Sequence, residues 1–246
     1  MIITEDGSYT LYSQEFKQHY HNRKDGAFKE SLYKHIIPSF ELHQTKKELY
    51  ILDICFGLGY NTLLTLYYIK QQNLDIKVKI FSPEFDKQLI KSLKEFIYPK
   101  ELEEFKYIIN QLSQTLSYKD DTISIEIYQG DAREYLDILK TQNIKFDIIY
   151  QDAFSSDVNR QLWSVEYFKQ IQNLSYEDTT ITTYSVATPV RLSMFFNNFN
   201  IYEYKPKDIN KLTIATNKKL NTTKYKFIDM ELKQQRNKEA KAIYDE

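Results

Sequence analysis

The chain has 246 residues, of which 42% are hydrophobic and 27% charged, with a formal net charge of −1. That length can bury a full core, as one domain or as one domain with appendages. The near-zero charge gives no global signal for a polyanion partner, and the single cysteine, Cys55, excludes an internal disulfide and a cysteine-based metal cluster.

The N-terminus, MIITEDGSYTLYS, has no basic segment followed by an apolar one, and no apolar run is long enough to cross a bilayer. No His/Cys/Asp spacing suggests a metal site. The expectation is a cytoplasmic protein with no membrane partner and no metal.

Residues 1–48 form a first segment with turn signals at Glu5-Asp6-Gly7-Ser8 and Lys24-Asp25-Gly26-Ala27. Its stretch Phe28 to Phe40 reads as a helix ending near Pro38. Five β-like runs follow: Glu48 to Cys55, Lys77 to Ser82, Thr122 to Gln129, Ile144 to Asp152 and Thr179 to Ser185. Helical stretches separate them at Thr62 to Gln72, Ala132 to Thr141 and Ser164 to Asn173. Strands alternating with helices predict a parallel sheet covered on both faces. The segment Asp86 to Asp121 exceeds one crossover and should carry an extra helix or two. Phe199 to Lys205 and Asn210 to Thr216 lie either side of a short turn, so the sheet should finish as an antiparallel hairpin. The expected division is an N-terminal extension over 1–48, a catalytic domain over 49–220 and a charged, helical tail over 221–246.

The chain holds only 5 glycines, and two of them stand in "DICFGLGYN" after the first strand. A glycine turn there lets a ligand approach the backbone, and the helix starting near Asn61-Thr62 offers free N–H groups. In an open parallel sheet, ligands bind past the carboxyl ends of the strands. Later strand ends carry suitable groups. After the second strand comes "SPEFD", where Glu84 is placed to accept from ribose hydroxyls and Phe85 follows. After the third comes "QGDA", with Gly130, Asp131 and Ala132, where Asp131 could accept from an adenine amino group. After the fourth comes Asp152. Each alone has a plainer account: a turn glycine, a helix-end acid, an N-cap. Together they predict an adenosine-type cofactor site formed by Phe56, Gly57, Gly59, Asn61, Glu84, Phe85, Gly130, Asp131, Ala132 and Asp152.

The dinucleotide pattern G-x-G-x-x-G is incomplete, and no Gly-Lys-Ser/Thr phosphate loop is present. S-adenosyl-L-methionine is the better candidate. The terminal hairpin suits the methyltransferase version of the fold. The predicted fold class is therefore α/β: a Rossmann-like class I methyltransferase with a mostly parallel seven-stranded sheet, a terminal antiparallel hairpin and an N-terminal extension.

At this point four segments resemble the methyltransferase domain of the MnmC-type tRNA 5-methylaminomethyl-2-thiouridine methyltransferases. "FGLGYNTLLTL" (Phe56 to Leu66) is similar to the family's F-G-x-G-x-N motif. "DIIYQDAFSSDVNRQLWSVEYFKQI" (Asp147 to Ile171) is similar to its D-x-F…N…W segment, "YHNRKDGAFKES" (Tyr20 to Ser31) to its entry segment, and "TTYSVATPVRLSM" (Thr182 to Met194) to the strand followed by an arginine. The sequence departs from the pattern at Ser156 and Arg160, where prolines are usual, at Cys55, where glycine is usual, and in "KPKDINKLTIAT", which replaces a basic stretch.

The resemblance implies a stand-alone transferase, without the flavin-dependent oxidase half, that methylates the aminomethyl group of a modified wobble uridine in tRNA. Asp152 is then the catalytic residue, accepting an N–H of the amine, favouring its orientation and helping to remove a proton. Phe154 and Trp163 would wall the pocket or stack on the uridine, with a core position equally open to Trp163 because a lone Trp is usually well buried; Tyr184 and Arg191 would face the substrate, Arg191 pairing with phosphate or else making a surface salt bridge; and Lys205 and Lys207 would contact phosphates. From Lys205 to Lys226 seven lysines accompany one acid, Asp208. His21 has two readings: near the site through the entry segment, or, as the plainer account, on a helix or turn surface.

Two other readings stay open. An aminopropyltransferase of the spermidine-synthase type would use Asp152 and Asp157 to flank a polyamine. A non-catalytic RNA-binding module would bind the cofactor without turnover.

Overall fold

The computed structural model describes residues 1–245. Seven principal strands build one sheet: β1 (Glu48–Ile54), β2 (Lys77–Glu84), β4 (Ile123–Gln129), β5 (Phe146–Gln151), β6 (Ser175–Thr183), β7 (Asn200–Tyr204) and β8 (Leu212–Thr216). Two short edge strands, β3 (Ser117–Lys119) and β9 (Lys226–Phe227), extend it to nine in the order β9-β7-β8-β6-β5-β1-β2-β4-β3. The five strands read from β-like runs are mutually parallel, while β8 pairs antiparallel with both β6 and β7. The expected class and the terminal hairpin are both present.

The extra edges have local causes. Leu116 is left-handed (φ 61°) and ends the helix Lys106–Thr115. Asp120 Oδ1 then accepts from the backbone N–H of Thr122 and Ile123, turning β3 back onto β4. Three residues without a strong apolar pattern carry no sequence signal for a strand.

Helices cover both faces, as strands buried on both sides require. Every residue of β5 is buried. On one face Leu63, Leu64, Ile108, Ile109 and Leu112 pack against Ile51, Ile80 and Ile148. On the other, Tyr135, Leu136, Tyr167, Phe168, Leu192 and Met194 pack against Leu52, Ile149 and Ile181.

The N-terminal segment makes two small two-stranded ladders, Ile2–Ile3 with Tyr9–Thr10 and Tyr12–Ser13 with Gln18–His19. It then runs helically over 27–42, through a π turn at Leu32–Ile36. Pro38 does not end this helix. It stands in the first turn of Ile37–Leu42, directly behind the π turn, where a missing N–H is tolerated. The π turn buries both Lys34 and His35.

The tail departs from the helical expectation. Among the described residues of the tail, Met230–Arg236 alone is helical. Beyond it the chain is irregular and docks on the core: Ala242 and Ile243 are buried, Val165 N–H donates to Ile243 O, and Ile243 N–H donates to Ser193 Oγ. Apolar anchors, rather than helix periodicity, set its path.

Candidate active site

Strand order reverses between β1 and β5: from β1 the chain moves outward through β2 and β4, then returns to the other side at β5. A crevice forms outside the carboxyl ends at such a point. Here it is an open cleft of about 1620 Å³. Its walls include Phe56, Gly57 and Asn61 after β1, Glu84 and Phe85 after β2, Gly130, Asp131 and Ala132 after β4, and Asp152 and Phe154 after β5. The sequence-predicted strand-end groups thus converge on one space.

The turn after β1 uses its two glycines differently. Gly57 is left-handed (φ 54°) and lines the cleft, and a Cβ there would meet Tyr20 Cδ1 at 3.4 Å. Gly59 (φ 74°) lies behind the wall, where a Cβ would meet the Phe56 ring at 3.1 Å and Ile109 Cδ1 at 3.2 Å. It serves the turn and the packing under it, so it does not reach the ligand space expected of it. Cys55 is also left-handed (φ 68°). That explains why glycine suits this position, and holding a cysteine there costs about 1–3 kcal/mol of backbone strain.

Glu84 is nearly buried and holds the turn in place. Its Oε2 accepts from Gly57 N–H and its Oε1 from Asp86 N–H, both at 2.8 Å. Burial raises its carboxyl above the ordinary range, against these backbone donors. Each oxygen keeps a lone pair for a ligand hydroxyl. Asp131 caps the helix Ala132–Thr141: one oxygen, Oδ1, accepts from Arg133 N–H at 2.8 Å and Glu134 N–H at 3.1 Å. Phe85 stands at the rim with its ring largely exposed.

Asp152 has a hydrogen-bond donor at one oxygen and an imidazole nitrogen, without a hydrogen bond of its own, near the other. Asn61 Nδ2 donates to Oδ2 at 3.0 Å, and His35 Nε2 faces Oδ1 at 3.5 Å. The His35 ring is itself held by Thr182 Oγ1, 3.0 Å from Nδ1. Burial alone would raise the Asp152 carboxyl. The imidazoles of His35 and His21 and the Asn61 amide outweigh burial and hold it below the usual carboxylate value.

The same Asn61 Nδ2 donates to Asp53 Oδ1 at 3.1 Å, and Thr62 Oγ1 donates to Asp53 Oδ2 at 3.1 Å. Asp53 is fully buried, and burial pushes its carboxyl up to about 8. With both amide hydrogens committed to carboxylates, Asn61 Oδ1 is left buried without a partner at the cleft wall. Sequence reasoning had no signal for Asp53, because a strand-interior Asp is unremarkable until its neighbours are known.

The entry segment forms the front wall, which the sequence reading placed only loosely. Phe16 stacks on Phe154 with centroids 4.6 Å apart, and Tyr20 meets Phe154 edge-on at 5.0 Å. Gln18 Nε2 donates to Ser155 Oγ at 2.7 Å. Of the two readings of His21, the structure takes the one near the site: it is buried and lines the cleft, not a helix or turn surface. It is turned inward because Thr10 Oγ1 accepts its backbone N–H and its ring packs edge-on to Tyr60 at 5.0 Å.

Several expected substrate residues lie elsewhere. Tyr184 lines the cleft and donates to Ala153 O at 2.9 Å. Trp163 is fully buried behind the wall, with Nε1–H donating to Phe154 O at 2.7 Å, so it braces Phe154 rather than facing a ligand. Arg191 is buried too, bonding Thr213 Oγ1 at 2.9 Å and Glu203 Oε2 at 3.2 Å. Its charge is spent inside the fold.

Lys205 donates to Ile209 O at 2.7 Å, outside the cleft, and exposed Lys207 does not line it. Elsewhere in the basic stretch Lys211 pairs with Glu203, Lys224 with Glu41, and Lys219 covers the Phe227 ring.

Among the described residues, no cluster of three or more His, Cys, Asp and Glu side chains is placed to hold a metal ion, and no helix is long and apolar enough to cross a membrane.

A family model described as S-adenosyl-L-methionine-dependent methyltransferase matches residues 93–218, about half of the chain. An uncharacterised protein of Methanocaldococcus jannaschii is 32% identical over 208 residues, covering 82% of this chain and 55% of that one. The tRNA 5-methylaminomethyl-2-thiouridine biosynthesis bifunctional protein MnmC of Leptospira borgpetersenii is 29% identical over 180 residues, covering 70% of this chain and 27% of that one. The chain thus spans about half the length of the archaeal relative and about a quarter of the bifunctional one. The crystal structure of MNMC2 from Aquifex aeolicus superposes with a TM-score of 0.85 at 29% identity, covering 99% of this chain and 78% of that one. The likeness is to the methyltransferase of MnmC type.

The cleft fits that cofactor class on its own geometry. The left-handed Gly57 removes a side chain beside the helix N-terminus, and the orphaned Asn61 Oδ1 offers an acceptor there. A strand-end carboxylate, a glycine turn over a helix and two cores on one parallel sheet agree with the matched family model, and the chain belongs to the S-adenosyl-L-methionine-dependent methyltransferases.

Proposed function

We propose that the protein methylates the 5-aminomethyl group of a modified wobble uridine in tRNA, giving 5-methylaminomethyl(-2-thio)uridine. The observation that carries this reading is the setting of Asp152: a carboxylate kept ionised at the cleft wall, with the Asn61 amide donating to one oxygen and the His35 ring beside the other, suited to an amine. The 29% identity to the Leptospira tRNA 5-methylaminomethyl-2-thiouridine biosynthesis protein supports a tRNA substrate.

In this reading S-adenosyl-L-methionine supplies, when bound, an electrophilic methyl group on a sulfonium. Gly57, Asn61, Glu84, Phe85, Gly130, Asp131 and Ala132 hold it. The lone pairs left on Glu84 accept from ribose hydroxyls, and Asp131 Oδ2, not used in the helix cap, accepts from the adenine amino group.

The chain's own work is alignment. Asp152 accepts an N–H of the amine and aims its lone pair, a positioning effect that lowers the entropic cost of reaction. Phe154, braced by Phe16, Tyr20 and Trp163, offers a stacking face for an unstacked uridine. The domain division 1–48, 49–220 and 221–246 belongs to the same proposal, with the first unit supplying the front wall.

The test is incubation of the purified protein with radiolabelled S-adenosyl-L-methionine and tRNA from cells lacking this gene, beside Asp152→Ala. Label at the wobble uridine with wild type alone supports the reading. Label entering a polyamine from the decarboxylated cofactor would move it to aminopropyl transfer. Cofactor binding without turnover on either would leave a binding module.

A further inference from the structure

We propose that His21 takes the proton from the substrate ammonium, while Asp152 remains ionised and orients the nitrogen. The inference rests on the amine-methylation reading and adds the proton acceptor that reading needs. An alkylamine at neutral pH is an ammonium and has no lone pair, so a proton must leave before the nitrogen can attack.

The acids of the cleft are poorly placed to take it. Asp152 is stabilised as an anion by Asn61 and His35, which makes it a weak base. Glu84 is tied to Gly57 and Asp86 N–H, and Asp131 to its helix. Glu30 accepts from Lys34 Nζ at 2.8 Å and from Asn22 N–H at 2.7 Å, and Lys34 also pairs with Asp25 at 2.8 Å.

His21 has no such commitment. Its backbone is fixed, its ring is packed on Tyr60, and Nδ1 is buried without a partner, which leaves Nε2 for the cleft. The surrounding charges suit a group that is neutral at rest and gains a proton in the reaction. Burial lowers the imidazole's proton affinity and His35 adds to that, while Asp152, Glu30 and Asp6 attract the imidazolium once it forms.

In the step itself, the N–H bonding pair stays on nitrogen as a lone pair and the proton joins Nε2. The lone pair then forms the new N–C bond as the C–S bond breaks, its electrons remaining on the sulfur as a neutral thioether. The open cleft returns the imidazolium proton to water.

The experiment is single-turnover methyl transfer to tRNA carrying the 5-aminomethyl uridine, with His21→Asn and His21→Gln across a pH series, beside cofactor and tRNA binding. We expect about a 100-fold loss at neutral pH with binding unchanged, the size that removal of a general base produces. The loss should shrink as pH rises toward the amine's own pKa, and added imidazole should restore part of the rate. A loss that is the same at every pH and resists imidazole in both variants would reduce His21 to a wall residue and overturn the proposal, as would full activity. Wild-type protein that binds S-adenosyl-L-methionine but transfers nothing to this tRNA overturns the underlying reading instead, and is recognised without any variant.

Discussion

The Asn61 side chain donates to Asp152 Oδ2 at 3.0 Å, and so ties the first turn of the helix Tyr60–Gln71 to the carboxyl end of β5. The same amide donates to Asp53 at 3.1 Å, so one nitrogen screens two carboxylates from each other. Asn61→Ala leaves both without that donor and should cost about 1–3 kcal/mol of stability. Removing the donor also raises the Asp152 carboxyl toward its ordinary value. The acid limb of the methyl-transfer pH profile should therefore move to higher pH. Thermal unfolding and a pH–rate series on the variant check both effects; a limb that stays in place would detach Asn61 from Asp152.

Asp53 gives a pH signature of its own. Its folded pKa, about 8, is raised above the unfolded value, so between the two values the folded state binds more protons than the unfolded state. The contribution it makes to stability is present at low pH and is lost as pH rises toward about 8. Asp53→Asn cannot titrate. The stability difference, variant minus wild type, should grow from about pH 5 to about pH 8 and level off above it. Urea unfolding at four pH values measures it, and a difference that stays constant would mean that Asp53 is ionised throughout.

What could be read from the sequence follows a physical division. The alternation of β-like runs with helices, and a strand-end position for Gly57, Glu84, Gly130, Asp131 and Asp152, depend on local pattern and topology rules. Those residues do line one cleft. Chemical type alone does not say whether a side chain already has a partner. Glu203 and Thr213 take Arg191, Ile209 O takes Lys205, and Trp163 occupies the core place open to a lone Trp, its Nε1–H donating to Phe154 O. His21 takes the cleft side of its two readings. Its burial comes from the fold of residues 1–48 over the cleft, a long-range arrangement that no local periodicity encodes.

Arg191 therefore yields a prediction opposite to the one its sequence position suggests. Its guanidinium is buried against Glu203 and Thr213, and burial lowers its pKa against the attraction of Glu203. Arg191→Ala leaves Glu203 with Lys211 alone and opens space between β8 and the helix Thr188–Phe195. Lys211 still pairs with the partly exposed Glu203, so the loss is that of the buried hydrogen bond to Thr213 and of packing, about 1–3 kcal/mol. The variant should unfold at a lower temperature, yet bind tRNA with the same salt dependence as wild type. A shallower salt slope with unchanged stability would instead return Arg191 to the phosphate-binding surface.

The front wall should move as a unit because a small set of contacts holds it. Phe16 and Tyr20 pack on Phe154, and Gln18 exchanges two hydrogen bonds with Ser155, Nε2 to Oγ at 2.7 Å and Ser155 N–H to Oε1 at 3.3 Å. The rest of the segment is half-exposed, so its opening free energy is set by this clasp. Phe16→Ala removes an aromatic pair worth about 0.5–1.5 kcal/mol beyond its buried area. Amide exchange over residues 12–21 should then speed up several-fold while β5 exchanges as before, because the clasp lies outside the sheet ladder. The Michaelis constant for tRNA should rise with little change in the rate at saturation, since Phe16 shapes the stacking face but touches none of the groups assigned to the chemistry. Unchanged exchange in the segment would mean that the wall is held by the ladders at Tyr9–Thr10 and Gln18–His19 rather than by Phe154.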